Sequence, residues 1–200
     1  MNSALFSGRP RERASPPTEE IDLNYEDFES LKTFVGFTPD DAGHLVELAP
    51  VVAAHGPGIT DRFYETLGRF PETARLIEGR VDALKKTHHR YLGEMVAGDY
   101  GQNYFTSRVR VGRVHVIQGI PPRFVEAVMS VIRTGMLTGL ATTKADAATL
   151  AARAAAFIKL CDIDMVIINS AYNEERLVRF SDFTGMSRGL IENAIRMGAS

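Results

Sequence analysis

The chain has 200 residues, 44% of them hydrophobic, enough to bury one sizeable core in a single domain. Its 23 basic and 25 acidic side chains leave a net charge of −2, without the electrostatic footprint of a protein that binds nucleic acid or an anionic membrane. Its one cysteine, Cys161, excludes an internal disulfide, argues against a cysteine-based metal cluster and fits a reducing, cytoplasmic setting.

Residues 1–24 read as a flexible tail. Arg9-Pro10-Arg11-Glu12-Arg13 and Ser15-Pro16-Pro17-Thr18 offer little to bury, and Ala4-Leu5-Phe6 is too short for a signal-peptide core. Nowhere is there an apolar run long enough to span a bilayer. From Tyr25 the pattern changes. Phe28, Leu31, Phe34 and Val35 suggest a short helix stopped near Gly36. Thr38-Pro39-Asp40-Asp41 reads as a helix start: an N-cap, a proline in the first turn, then acids that suit the helix dipole. That helix carries Leu45, Leu48, Val51 and Val52, is bent or split by Pro50, and ends near His55-Gly56-Pro57-Gly58.

A further helix spans about 59–70, with Ile59, Phe63, Leu67 and Phe70 at helical spacing and Tyr64 beside Phe63. Pro71 opens a short turn through Leu76-Ile77. The helix over about 81–97 has Val81, Leu84, Tyr91, Leu92 and Met95 on its apolar face, with His88 among them. After Gly98-Asp99 a helix runs over about 102–117, where Tyr104, Arg108, Val111 and His115 form one line. Pro121-Pro122 starts the next helix, which fades near Gly139. Thr143 is the expected cap of the last long helix, about 144–175, which is apolar over a wide arc from Leu150 to Ile168. An amphipathic segment follows Arg176. No strand pattern of period two is present, so the class is all-α.

The candidate for chemistry is His115, on a mostly apolar face just before Gly119-Ile120-Pro121-Pro122. Such a histidine is more often a satisfied core side chain than a ligand. The alternative is a neutral imidazole that holds a haem iron from one side. His44, His55 and His89 occupy loop, exposed or outward positions and are assigned no role.

Leu84-Lys85-Lys86-Thr87, Arg90-Tyr91-Leu92, the run from Arg110 to His115 and Gly119-Ile120-Pro121-Pro122 resemble the sensor-globin and protoglobin family, the haem domains of globin-coupled sensors and their stand-alone relatives. The resemblance covers residues 25–175 and leaves 176–200 as a C-terminal helical extension. It implies a globin fold of the sensor-globin type, with an extra N-terminal helix and no D helix. It implies a haem b cofactor, with His115 as the proximal iron ligand on the F helix and Tyr64 on the B helix as the distal hydrogen-bond donor. Oxygen becomes polarised on binding ferrous iron. A phenol hydroxyl aimed at it is worth roughly 1–3 kcal/mol, about ten- to a hundredfold in affinity. Carbon monoxide is less polar and gains less.

By the same resemblance, Leu84 and Thr87 match distal E-helix positions that gate water and offer a second hydrogen bond. Plain core packing for Leu84 and a bond back to its own helix for Thr87 are the stronger readings. Val111, Ile120, Phe124, Val128 and Phe70 are pocket-wall candidates that the sequence does not separate from generic core. Arg90, Lys86 and Arg108 are candidates to pair with haem propionates, and a solvated charged face explains them as well.

Two departures from the family pattern stand out. Phe124-Val125 replaces an aromatic pair whose tyrosine contacts the proximal histidine, and Val125 cannot hydrogen-bond. His88 occupies a position where leucine or glutamine is expected. It could bond a gas, ligate the iron as a sixth ligand, or simply sit at the haem edge.

The function implied is a gas sensor that reversibly binds O2, CO or NO and transmits the ligation state through its helices. The broad apolar faces after Pro122 and Lys144 suggest a homodimer built through the last two long helices. No kinase, cyclase or methyl-accepting segment is present, so a separate or fused output domain is the expected partner. The competing readings are a haem redox enzyme, such as an NO dioxygenase or peroxidase, and a haem-free dimerisation module. No flavin or nicotinamide segment marks a dedicated catalyst, so a non-enzyme is expected.

Overall fold

The computed structural model describes residues 24–198, which form nine α-helices and no strand. The all-α expectation is met. The tail expected over residues 1–24 lies outside the described residues, apart from Asn24, which caps the first helix.

Local chemistry explains where the first helices begin. In α1 (Tyr25–Phe34) Asn24 and Asp27 form a reciprocal capping box, and Phe28 is buried at 5.5 Å from the ring of Phe105. In α2 (Pro39–Val46) Thr38 and Asp41 form a second box, with Pro39 in the first turn. Asp41 also receives Lys159 at 2.9 Å, which ties the start of α2 to a distant helix.

The expected helix end at 55–58 is corrected by the structure. The break comes earlier, at Glu47-Leu48, and α3 (Ala49–Arg69) then runs unbroken through Gly56, Pro57 and Gly58. Pro50 sits in its first turn, where a missing N–H is free of cost. Pro57 removes one internal hydrogen bond, yet the buried face stays in phase across it, from Val51 through Gly56, Ile59 and Thr60 to Tyr64. Burial of that continuous face outweighs the local breaker.

Pro71 starts a short helix, α4 (Pro71–Ile77), where a turn was expected. α5 covers Val81–Glu94, α6 covers Gln102–Ile117 and α7 covers Pro122–Leu140. The cap of α8 (Ala147–Thr184) is Asp146, not Thr143. Asp146 accepts from the Thr149 amide, whereas the Thr143 hydroxyl donates to the Leu140 carbonyl at the end of α7. α8 passes residue 175 without a break and stops at Gly185, whose φ of 70° closes the helix in the left-handed region. α9 (Arg188–Met197) follows.

Two close approaches set the packing. α6 lies against α8 at Gly112, where an added Cβ would fall 2.4 Å from the Ile168 carbonyl oxygen. α3 crosses α7 at Gly135 and Gly139, where a Cβ would fall 2.6 Å from Ile59 Cγ1 and 2.9 Å from Val51 Cγ1. Around these crossings Leu45, Leu48, Leu92, Met95, Phe157 and Leu160 are fully buried, each worth about 1.5–3 kcal/mol of burial. No helix among the described residues is long and apolar enough to cross a membrane.

Candidate functional site

The site is built on α5 and α6, which run in opposite senses and are tied at both ends. At one end Arg80 Nη1 donates to Gln118 Oε1 at 2.9 Å. At the other, Arg108 of α6 donates to Glu94 and to the Tyr91 carbonyl of α5. Between the ties lie Leu84, Thr87 and His88 on α5 and Val111 and His115 on α6.

His115 is half-buried near the end of α6. Its Nδ1 lies 2.6 Å from the Val111 carbonyl oxygen, one turn earlier on the same helix. Because a carbonyl only accepts, Nδ1 carries the proton and donates. The Nε2 lone pair is therefore left for a ligand. Burial pulls the pKa of His115 below its ordinary value, against the pull of the Val111 bond, so the ring is held neutral.

Tyr64 of α3 and His88 of α5 come together, with ring centroids 6.3 Å apart. Tyr64 is buried on α3, with no hydrogen-bond partner for its hydroxyl among the described residues. Burial pushes its pKa up to about 12, so it remains a donor. The His88 ring meets the rings of Tyr64 at 6.3 Å, Phe63 at 5.1 Å and Tyr91 at 6.2 Å. His88 is buried and its Nδ1 lies 2.7 Å from Thr60 Oγ1. Its Nε2 is buried with no partner among the described residues. Burial first, then the charge of His89, lower its pKa to about 4.

The apolar candidates form a distinct class. Leu84, Val111, Ile120, Phe124 and Val128 are all half-buried, unlike the sealed core, and Phe70 at the α3–α4 junction is 53% exposed. Thr87 is exposed and its hydroxyl donates to the Ala83 carbonyl of its own helix at 3.2 Å. Val125 is buried, and the Arg123 guanidinium lies 4.7 Å from the Phe124 ring.

Arg108 corrects its sequence reading as a propionate partner. It is fully buried, donating from Nε to Asp164 Oδ2 at 2.9 Å. Tyr91 and Tyr104 also donate to Asp164, at 2.6 and 2.8 Å. Burial pushes the Asp164 carboxyl up, but every partner is a donor, the arrangement that a carboxylate requires. This network, unseen from sequence, locks α5, α6 and α8 together beside the site. Its one signal was an acid, Asp164, in the middle of an apolar helix. Thr60 carried no signal beyond lying four residues before Tyr64 on the same face. Arg90 and Lys86 are exposed, and Arg90 lies 3.8 Å from Glu94.

Comparison with known proteins gives this arrangement a context. The chain is 26% identical over 189 residues to the heme-based aerotactic transducer HemAT of Halobacterium salinarum, covering 88% of this chain and 38% of that protein. It thus spans about two-fifths of the length of that curated relative. The globin domain of the Geobacter sulfurreducens globin-coupled sensor superposes with a TM-score of 0.69 at 28% identity, over 73% of this chain and 97% of that one. The ferric globin domain of E. coli DosC has the same fold, with a TM-score of 0.61 at 20% identity, over 70% and 96% of the two chains. The sequence model of the protoglobin family matches residues 24–177, and the chain belongs to that family.

Proposed function

We propose that this chain is a haem-based gas-sensing globin, with haem between α5 and α6 and His115 as the iron's protein ligand. The observation that carries the reading is His115 itself: neutral, proton committed to the Val111 carbonyl and Nε2 free. The residues fit haem b on two further counts. Leu84, Val111, Ile120, Phe124 and Val128 are apolar walls left half-buried by the protein. His88 Nε2 is a buried polar atom without a partner among the described residues.

Haem, when bound, supplies a ferrous iron that takes O2, CO or NO reversibly. The chain's own residues do the rest. His115 is oriented by its bond to Val111, a backbone acceptor that replaces any help from Val125. Tyr64 offers a protonated hydroxyl to a polar gas. His88 offers a second polar atom beside it. The similar proteins include an aerotactic transducer and the globin domain of a globin-coupled sensor, and the reading assigns no catalytic residue. Helices α7 and α8 are the proposed homodimer surface, through which the ligation state passes to an output module.

The test is an absorption spectrum of the purified protein, as isolated and after reduction, beside His115→Ala. The reading expects a strong Soret band that the variant loses or alters. No Soret band after adding haemin discards it in favour of a haem-free dimerisation module.

A further inference from the structure

One buried hydrogen bond between α3 and α5 has a direction that decides what His88 can do. Thr60 is fully buried, and its Oγ1 lies 2.7 Å from His88 Nδ1. Other helical threonines here, such as Thr66 and Thr134, turn the hydroxyl back to the carbonyl four residues earlier. Thr60 does not: among the described residues His88 is its hydrogen-bond partner. The ring is neutral, so it has one N–H and one lone pair to distribute between Nδ1 and Nε2.

Two arrangements are possible. If Nδ1–H donates to Thr60, the Thr60 proton has no acceptor in a buried site, and the Nε2 lone pair is unmatched as well. If Thr60 donates to Nδ1, its proton is satisfied and only the Nε2–H remains unmatched. The second strands fewer buried polar groups.

We propose that Thr60 sets the tautomer of His88: its hydroxyl donates to Nδ1, places the ring proton on Nε2, and makes His88 a hydrogen-bond donor to a pocket gas instead of a sixth iron ligand. The proposal rests on the haem reading above. Iron ligation needs the Nε2 lone pair, so the proton must move to Nδ1, and Thr60 then loses its acceptor. Thr60 is thus a positioning residue, acting through His88 to hold the sixth iron position for a gas.

The test compares gas-free spectra of the ferrous native protein, Thr60→Val and Thr60→Ser, each with and without His88→Leu, with helix content confirmed by circular dichroism. The native protein and Thr60→Ser are expected to be five-coordinate. Thr60→Val is expected to raise the ratio of six- to five-coordinate protein about tenfold, the weight of one buried hydrogen bond. Adding His88→Leu should abolish that rise. A native protein already six-coordinate through His88, or a Thr60→Val spectrum unchanged, overturns the proposal. A second readout needs no variant: two-bond nitrogen–proton correlations of the His88 ring, taken on reduced protein under carbon monoxide. Protonated Nε2 is expected, and protonated Nδ1 overturns the proposal. If no variant shows a Soret band, the haem reading fails, and the same correlations on the haem-free protein still decide the tautomer.

Discussion

Tyr64 and His88 make opposite demands on their surroundings, and each demand can be measured. Tyr64 is buried with its proton retained and its hydroxyl unclaimed among the described residues. Tyr64→Phe removes that donor and little else. Oxygen loss should accelerate by roughly ten- to a hundredfold, with CO release changed far less, because only the more polar gas draws on the bond. Equal effects on both gases would sink the role. His88 is buried as a neutral ring with a pKa of about 4, below the ordinary value of 6.5. As pH falls from 7, the unfolded chain takes up a proton that the folded chain refuses. Stability is therefore full above pH 6.5 and is lost as pH falls towards 4, by about 2–3 kcal/mol between pH 7 and 4.5. Urea midpoints across that range, for the native chain and His88→Leu, should show a flatter slope in the variant; parallel slopes reject the assignment. His115 shifts in the same direction and leaves a residual slope. At this scale the sequence was informative about residue type and register. His115, Tyr64 and His88 could be singled out because imidazole and phenol on an apolar face are conspicuous, while the haem roles proposed for them come from the family resemblance. Thr60 and the Val111 carbonyl were not, because a hydrogen-bond partner on another helix or on the backbone leaves no mark in one-dimensional spacing.

Helices were legible where local chemistry and burial agreed. Both capping boxes have their signature in the sequence, although only the one at Thr38 was read from it. Where local chemistry and burial conflicted, burial won: α3 crosses Pro57 because its buried face stays in phase on both sides. The Arg108–Asp164 pair was invisible for the same reason as Thr60, since its partners are 56 residues apart. Gly112 has a consequence that motif matching alone does not explain. It stands three residues before His115 and lets α6 touch the α8 backbone. Gly112→Ala puts a methyl 2.4 Å from a carbonyl oxygen that cannot swing aside. The helices must separate, at about 1–3 kcal/mol, and His115 moves with α6. Gly58→Ala is the contrasting case: it lies within α3 with nothing near its Cβ position, and should stabilise by about 0.5–1 kcal/mol. Thermal melts of both variants check the pair, and a Gly112→Ala chain as stable as the native one refutes the close-approach argument.

The molecule as a whole leaves one seam of α7 and α8 outside. Glu126 meets Asn169 and Arg133 meets Asp162 across it, so the two helices run antiparallel in a regular register. The same seam exposes Leu137, Ile158 and Val166, at 37%, 39% and 42% of their surfaces. Arg133 Nε and Asn169 Oδ1 are buried there without partners among the described residues. Apolar side chains one or two turns apart, framed by one ion pair and one hydrogen bond, are what a self-complementary interface between two copies presents. Two such helix pairs would form a four-helix bundle, with each copy's α6 held against its own α8 at Gly112. A shift of α6 at His115 would then reach the partner through one helix. Ile158→Glu with Val166→Glu places two like charges on the seam and touches nothing near His115. The native chain should sediment as a dimer at micromolar concentration and the double variant as a monomer, with helix content and Soret band unchanged. A native monomer, or a variant that still dimerises, moves the interface elsewhere, and α8 then transmits within one chain only.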